Sequence, residues 1–190
     1  SLTLNGASSA NLVSANVVNR SNGVSVIQLD CPRAVSVTTG TGSPTAQVFT
    51  VSGYDYYGQA MTEAITSSAL VSTAVNGKKA FYQISSVAVS GATGTAITMG
   101  TTDIIGLPIR VVDAGYIASV GWANTLARAT GTLVTADTAT ATSTTGDVRG
   151  TYTPSSSTNG YSRIVMTIAC NAIQVGPNAT RQGALGVTQA

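Results

Sequence analysis

The sequence predicts an all-β fold: a single antiparallel β-sandwich or jelly-roll-like domain with extended N- and C-terminal arms. Runs of β-branched and aromatic residues recur at short intervals, and clusters of Gly, Ser and Thr of the kind that end strands separate them. The chain has 190 residues, a length at which sandwiches and barrels form one domain. We place the domain at residues 23–175 and the arms at 1–22 and 176–190, where apolar residues are too sparse for core strands.

The composition predicts a largely neutral surface. Only 8% of the residues are charged while 43% are hydrophobic, whereas about 25% are charged in an ordinary soluble domain. Such a surface favours association with copies of the chain or with a partner. The basic residues are scattered apart from Lys78 and Lys79, so no basic stripe could follow a nucleic acid backbone. No apolar run approaches the roughly 18–20 residues that cross a bilayer, and the N-terminus lacks the pattern of a signal peptide. We therefore expect neither nucleic acid nor membrane as a partner.

Residues 77–112 are interpreted as a β-meander around which the domain is organised. Three runs, 81–89, 96–99 and 104–112, are rich in β-branched residues and are separated by SGATGT and GTTD. In the first run the apolar phase switches across Ser85 and Ser86, which predicts a bulge or bend there. Pro108 places the third run at a sheet edge or at the entry to a strand, because proline has no N–H to donate.

The residues before this stretch predict four strands and one ambiguous segment. Residues 24–37 indicate two short strands separated by a break at Pro32 and Arg33. The next strand, 46–53, has Phe49 and Val51 on one face. Residues 55–58 supply the acid and the glycine of a hairpin turn, which makes 61–68 the returning strand. Residues 67–76 are typical of either a short helix or a connector.

The residues after the meander predict further strands and one polar loop. Residues 114–136 favour strand over helix, and 137–147 form an exposed loop or lip with no large apolar side chain. Residues 164–171 alternate with a period of two and place Ile164, Met166, Ile168 and Cys170 on an apolar face. We expect Cys170 and Cys31 to be small buried hydrophobic residues rather than a disulfide.

The residues available for chemistry argue against an enzyme. The sequence contains no histidine, which excludes His-dependent nucleophiles and imidazole metal sites. Most of the seven acidic residues lie at strand ends or in turns, where Asp accepts backbone hydrogen bonds, so a carboxylate pair for glycoside chemistry is not favoured. Asp137 and Asp147 with the carbonyls between them could hold calcium, but their spacing matches no known loop. We expect no catalytic residues, no metal and no cofactor.

Five residues form the candidate contact surface. Tyr54, Tyr56 and Tyr57 flank the predicted turn, and such a cluster either stacks on a sugar or packs at a subunit interface, where Tyr is favoured. Lys78 and Lys79 precede a strand and either dock an acidic partner or remain solvated.

Four segments carry a family resemblance. They are VSGYDYYGQAMTEAI (51–65), GKKAFYQISSVAVSG (77–91), GTTDIIGLPIRV (100–111) and TTGDVRGTYTPSS (144–156). In this order they resemble virion structural proteins of tailed bacteriophages, over residues 46–175. The resemblance implies a non-enzymatic capsid decoration or cement protein on the capsid exterior, with no functional residues carried over. Its implied partners are the major capsid protein and copies of itself, with a homotrimer favoured over a homodimer. The alternative is a tail or head-fibre component that acts as a receptor-binding module.

Overall fold

The structure, a computed structural model, describes residues 2–5, 9–10, 17–19, 23, 25–121, 130–160, 163–169 and 189. Within these ranges the chain forms twelve β-strands and one short 3₁₀ helix, Ala114–Tyr116. The strands are β1 (Leu2–Asn5), β2 (Ser9–Ala10), β3 (Val17–Asn19), β4 (Ser25–Thr39), β5 (Val48–Tyr54), β6 (Ala60–Thr66), β7 (Ala74–Val89), β8 (Ala96–Gly106), β9 (Ile117–Gly121), β10 (Gly131–Val134), β11 (Thr151–Pro154) and β12 (Val165–Ile168). The predicted all-β class is confirmed.

Two antiparallel sheets make up the described fold. The larger follows the order β10-β11-β8-β4-β7-β5-β6, and the short strands β1, β2 and β3 pair with β8, β7 and β4. The smaller contains β9 and β12. Strands β1 to β3 lie within the predicted N-terminal arm, so three short pieces of that stretch pair with the sheet of their own chain. The arrangement is sandwich-like, as predicted.

Two apolar clusters contain most of the buried hydrophobic side chains of the described residues. The first lies within strands β4 to β8 and is centred on Phe49 and Phe81, both fully buried. The second lies where β9 and β12 pack against β10 and β11, and it contains Leu107, Val111 and Tyr152. Ile164, Met166 and Ile168 pack against this second cluster, which confirms the apolar face predicted for them.

The predicted meander is wrong because β4 lies between β7 and β8. Val37 of β4 faces Val75 of β7 on one side and Met99 of β8 on the other. Val37 is fully buried, so β4 is a central apolar strand with partners along both edges. The predicted second and third runs are one strand, β8, which continues through GTTD and ends at Gly106. Beyond it, Pro108 cannot donate to a ladder.

Two predicted irregularities appear as bulges. Gln28 of β4 pairs with Gln83 and Arg33 pairs with Phe81, so the residues between them bulge. The predicted break at Pro32 therefore lies inside one long strand rather than between two strands. On the other edge of β7, Ser52 pairs with Ser86 and the next residue of β5 pairs with Ile84. Ser85 is the extra residue, as the phase switch predicted.

The hairpin prediction for β5 and β6 is confirmed. The two strands pair antiparallel along their whole length, with Phe49 and Val51 both fully buried. Residues 67–73 are a connector, which resolves the ambiguity left by the sequence. The turn at residues 55–59 is consequently held at the end of a regular hairpin.

Several predictions concern residues outside the described ranges. Cys170, most of the N-terminal arm and the C-terminal arm apart from Gln189 belong to this group. Cys31 is half-buried and forms no disulfide with a described residue, and burial raises the pKa of its thiol. In the part of the chain that the structure describes, no helix is long and apolar enough to span a membrane.

Candidate contact surface

The turn between β5 and β6 is organised by Asp55. Its Oδ1 accepts hydrogen bonds from the backbone N–H groups of Tyr57 (2.9 Å) and Gln59 (2.8 Å). The backbone N–H of Gly58 donates to the Asp55 carbonyl at 3.0 Å. An aspartate that accepts bonds from the next residues in this way fixes a turn, so the role predicted for Asp55 is confirmed.

A buried ion pair ties this turn to a distant part of the chain. Nη1 of Arg149 lies 2.7 Å from Oδ2 of Asp55, and the two side chains are 5% and 2% exposed. The guanidinium carbon of Arg149 lies 4.7 Å from the centre of the Tyr57 ring, a cation–π distance. The Tyr57 hydroxyl donates to the Pro108 carbonyl. The turn is therefore held from two sides.

The loop that carries Arg149 is shaped by Asp147. Its Oδ1 accepts from the backbone N–H groups of Arg149 (2.8 Å) and Gly150 (3.2 Å), and its Oδ2 accepts from that of Ala80 (3.1 Å). Burial raises the pKa of Asp147, and these hydrogen bonds oppose the rise. Gly150 has φ +93° and an added Cβ would lie 2.6 Å from the Val134 carbonyl oxygen, so glycine is required there.

A second buried group joins β6 to the start of β7. Glu63, 3% exposed, accepts hydrogen bonds from the backbone N–H groups of Lys78 (2.5 Å) and Lys79 (3.3 Å). Lys79 is 0% exposed and its Nζ donates to the Thr62 carbonyl at 2.7 Å. Burial raises the pKa of Glu63 and lowers that of Lys79, while the attraction between the two charges opposes both shifts. A Cβ on Gly77 would lie 2.6 Å from Oε2 of Glu63, which explains the glycine.

The four segments of the family resemblance meet in one junction. The backbone N–H of Leu107 donates to the Gly150 carbonyl (3.0 Å) and that of Val111 donates to the Arg149 carbonyl (3.0 Å), so the third segment joins the other three. We call the contacts of Asp55, Glu63, Lys79, Asp147 and Arg149, together with these two backbone bonds, the buried junction. The sequence indicated the order of the segments but not their contact, because that contact depends on the position of β4 between β7 and β8. No group of three or more His, Cys, Asp and Glu side chains suited to a metal occurs among the described residues.

The predicted contact residues divide into exposed and buried ones. Tyr56 is 57% exposed and Tyr57 is 42% exposed, whereas Tyr54 is half-buried and Lys78 is exposed. Lys79 must be corrected: it is fully enclosed in the buried junction, so it offers no surface to a partner. Consecutive residues of a strand point to opposite faces, and this separates the two lysines.

The sequence did not predict that Tyr82, Gln28 and Gln83 lie beside the tyrosines of the turn. The Tyr56 ring stands edge-on to Tyr57 (centroids 5.4 Å apart) and to Tyr82 (5.3 Å). The Tyr82 hydroxyl accepts from Nε2 of Gln28 at 3.1 Å, and Oε1 of Gln28 accepts from Nε2 of Gln83 at 3.2 Å. We call Tyr56, Tyr57 and Tyr82 the tyrosine surface. Only the pairing of β4 with β7 would have indicated the two glutamines.

A half-open groove of about 470 Å³ lies beside the buried junction. Its walls are formed by the start of β7, by β11 and by residues 134–137 and 146–147. Asp137 and Asp147, the two carboxylates considered for calcium, both line it. Oδ2 of Asp137 accepts from the backbone N–H of Gly146 at 2.7 Å, and Asp147 already accepts three such bonds. Because N–H donors occupy these oxygens, the arrangement favours a structural role over a cation site.

Comparisons with known proteins give no match: no family model, no curated protein and no solved structure is detectably similar to this chain.

Proposed function

We propose that the chain is a non-enzymatic structural protein of a phage particle. It is a capsid decoration or cement protein that binds the major capsid protein on the capsid exterior and stabilises the shell against internal DNA pressure. The observation that supports this most is the buried junction. Five charged residues of the four resembling segments, Asp55, Glu63, Lys79, Asp147 and Arg149, are engaged with one another or with backbone groups. This is expected of motifs that maintain a fold rather than of a catalytic centre.

The distribution of charge supports an assembly component. Of nine basic and seven acidic residues, three of each are buried in the described ranges. They are Asp55, Glu63, Asp147, Lys79, Arg110 and Arg149. The outer surface is left with few charges to oppose association. Exposed tyrosine beside such a surface is typical of an interface, because its ring buries a large area while its hydroxyl stays hydrogen-bonded.

We expect the protein to form a homo-oligomer on the particle. A particle presents many identical binding sites, and a homo-oligomer that contacts several shell subunits at once gains avidity without any stronger single contact. A homotrimer suits a symmetry axis of such a shell, and we favour it over a homodimer. The tyrosine surface is the region we assign to the contact with the shell.

The test is binding of a Tyr56→Ala variant to shells assembled from the major capsid protein. Tyr56 is exposed and its ring packs against the rings of Tyr57 and Tyr82 at the surface, so folding should be unaffected. We expect binding to weaken by about tenfold or more, as for a central interface tyrosine. Co-sedimentation with shells measures it.

Leu70→Ala is the matched control. Leu70 is 70% exposed and lies in the connector at the far end of β6 from the turn, so its loss should leave binding unchanged. Equal binding by both variants and the wild-type chain would contradict the assignment of the tyrosine surface. The number of copies per particle tests the proposal itself. Hundreds of copies agree with a decoration protein, whereas about a dozen would indicate a tail or head-fibre component.

A further inference from the structure

The pair Asn159-Gly160 places an amide side chain beside a backbone nitrogen that can attack it. Asn-Gly occurs at four places in the sequence, and both residues are described at two of them, 76–77 and 159–160. Glycine has no Cβ, so its main-chain nitrogen approaches the Cγ of the preceding asparagine with little hindrance. The two described pairs have the same chemistry, and any difference between them comes from the fold.

Asn159 and Gly160 lie in an exposed segment that follows β11. Both residues are exposed and neither belongs to a strand. Gly160 has φ +76°, and an added Cβ would meet no atom within 4 Å. In the part of the chain that the structure describes, no acceptor takes the backbone N–H of Gly160. The nitrogen is therefore open, in a segment where the backbone rotates more easily than in a strand.

Asn76 and Gly77 are held inside β7 instead. Asn76 pairs with Ser36 of β4. Gly77 is buried, and an added Cβ on it would lie 2.6 Å from Oε2 of Glu63. Extended backbone directs the nitrogen of the next residue away from the side-chain carbon, and the ladder resists the rotation that would bring the two together. The fold thus protects this pair.

We propose that Asn159 is a site of spontaneous deamidation, at which the folded chain converts an asparagine into an acid. The Gly160 nitrogen attacks Cγ of Asn159 and forms the C–N bond of a five-membered imide, while the C–N bond of the side-chain amide breaks. The Gly160 proton passes to a solvent base, and the leaving nitrogen takes a proton from water and departs as ammonia. A water molecule then opens the ring at either carbonyl carbon and yields aspartate or isoaspartate. No enzyme is required, because the reacting groups belong to adjacent residues.

The conversion alters a segment that ties the end of β11 to two other strands. The N–H of Thr158 (3.1 Å) and its hydroxyl both donate to Oδ1 of Asp103 in β8. Nη1 of Arg33 in β4 donates to the same hydroxyl at 3.2 Å. The new carboxylate forms directly after this anchored threonine, and the isoaspartate product also lengthens the main chain there by one carbon.

The test follows both pairs in one sample of the wild-type chain kept at mildly alkaline pH. Trypsin, which cleaves after lysine and arginine, releases them in separate peptides, 150–163 and 34–78. Mass spectrometry then measures the share of each peptide that has changed from amide to acid. We expect Asn159 to deamidate at least about tenfold faster than Asn76 in the folded chain. In concentrated urea, where neither pair is held by the fold, the two rates should become similar.

Gly160→Ala is the matched variant. The added Cβ hinders the attacking nitrogen at an exposed position, so we expect deamidation at Asn159 to slow by about tenfold while the rate at Asn76 is unchanged. Isoaspartate must appear beside aspartate, because the imide opens at either carbonyl. The proposal is overturned if Asn159 remains an amide, or if it converts no faster than Asn76 in the folded chain. These measurements need no capsid shell, so they are independent of the proposed function.

Discussion

Replacing Arg149 by Met is expected to lower the free energy of unfolding by about 3–5 kcal/mol, the range for breaking a buried ion pair from one side. The change leaves the Asp55 carboxylate, 2% exposed, without its cation inside the protein. It also removes the guanidinium from the face of the Tyr57 ring. Urea unfolding monitored by tryptophan and tyrosine fluorescence measures the loss, with the slope of the transition as a check on two-state behaviour.

The double-mutant cycle with Asp55→Asn supplies the control. Asn keeps an oxygen that can accept from the N–H groups of Tyr57 and Gln59, so the turn is retained while the charge is removed. The double variant then carries no unpaired buried charge, and we expect its loss to be smaller than the sum of the two single losses by more than about 1 kcal/mol. Strictly additive losses would mean that Asp55 and Arg149 are not coupled.

The sequence predicted the individual strands and turns of this fold better than it predicted which strands pair with each other. The hairpin of β5 and β6, the bulge at Ser85 and the apolar face of β12 depend on local patterns of side chains, and all three are confirmed. The pairing order depends instead on contacts between strands that lie far apart in the sequence. No local pattern indicates that β4 lies between β7 and β8, and for this reason the meander prediction was wrong.

In the candidate site, too, the sequence predicted local contacts but not those between residues far apart in the chain. The sequence predicted the role of Asp55 in the turn correctly because the N–H groups that it binds, those of Tyr57 and Gln59, lie within the next four residues. The partners of Asp55, Glu63 and Asp147 across the buried junction lie far away in sequence, at Arg149, Lys79 and Ala80. Two adjacent lysines in a Gly-Lys-Lys sequence look equivalent, and only the packing of β7 against β6 distinguishes the exposed Lys78 from the enclosed Lys79.

The difference in burial between Lys78 and Lys79 leads to a second large expected change in stability. Lys79→Met is expected to lower the free energy of unfolding at neutral pH by about 3 kcal/mol, because two buried carboxylates lose their nearby cation. Lys78→Met is the matched control: the same substitution one residue earlier, at an exposed side chain, should change stability by less than about 0.5 kcal/mol. The backbone N–H groups that bind Glu63 are unaltered in both variants. Losses of equal size would contradict the burial that separates the two lysines.

The pH dependence of the Lys79→Met loss has a definite sign. Burial raises the pKa values of Glu63 and Asp147 in the folded chain, and removing a positive neighbour raises them further. The folded variant therefore binds protons more readily than its unfolded chain, so its stability is retained at acidic pH and is lost as the pH rises through these raised pKa values. We expect the gap between Lys79→Met and the wild-type chain to be smaller near pH 5 than near pH 8, with no such trend for Lys78→Met. A gap that widens on acidification would show that the two carboxyl groups do not take up the protons, and that Lys79 acts through packing and its bond to the Thr62 carbonyl instead.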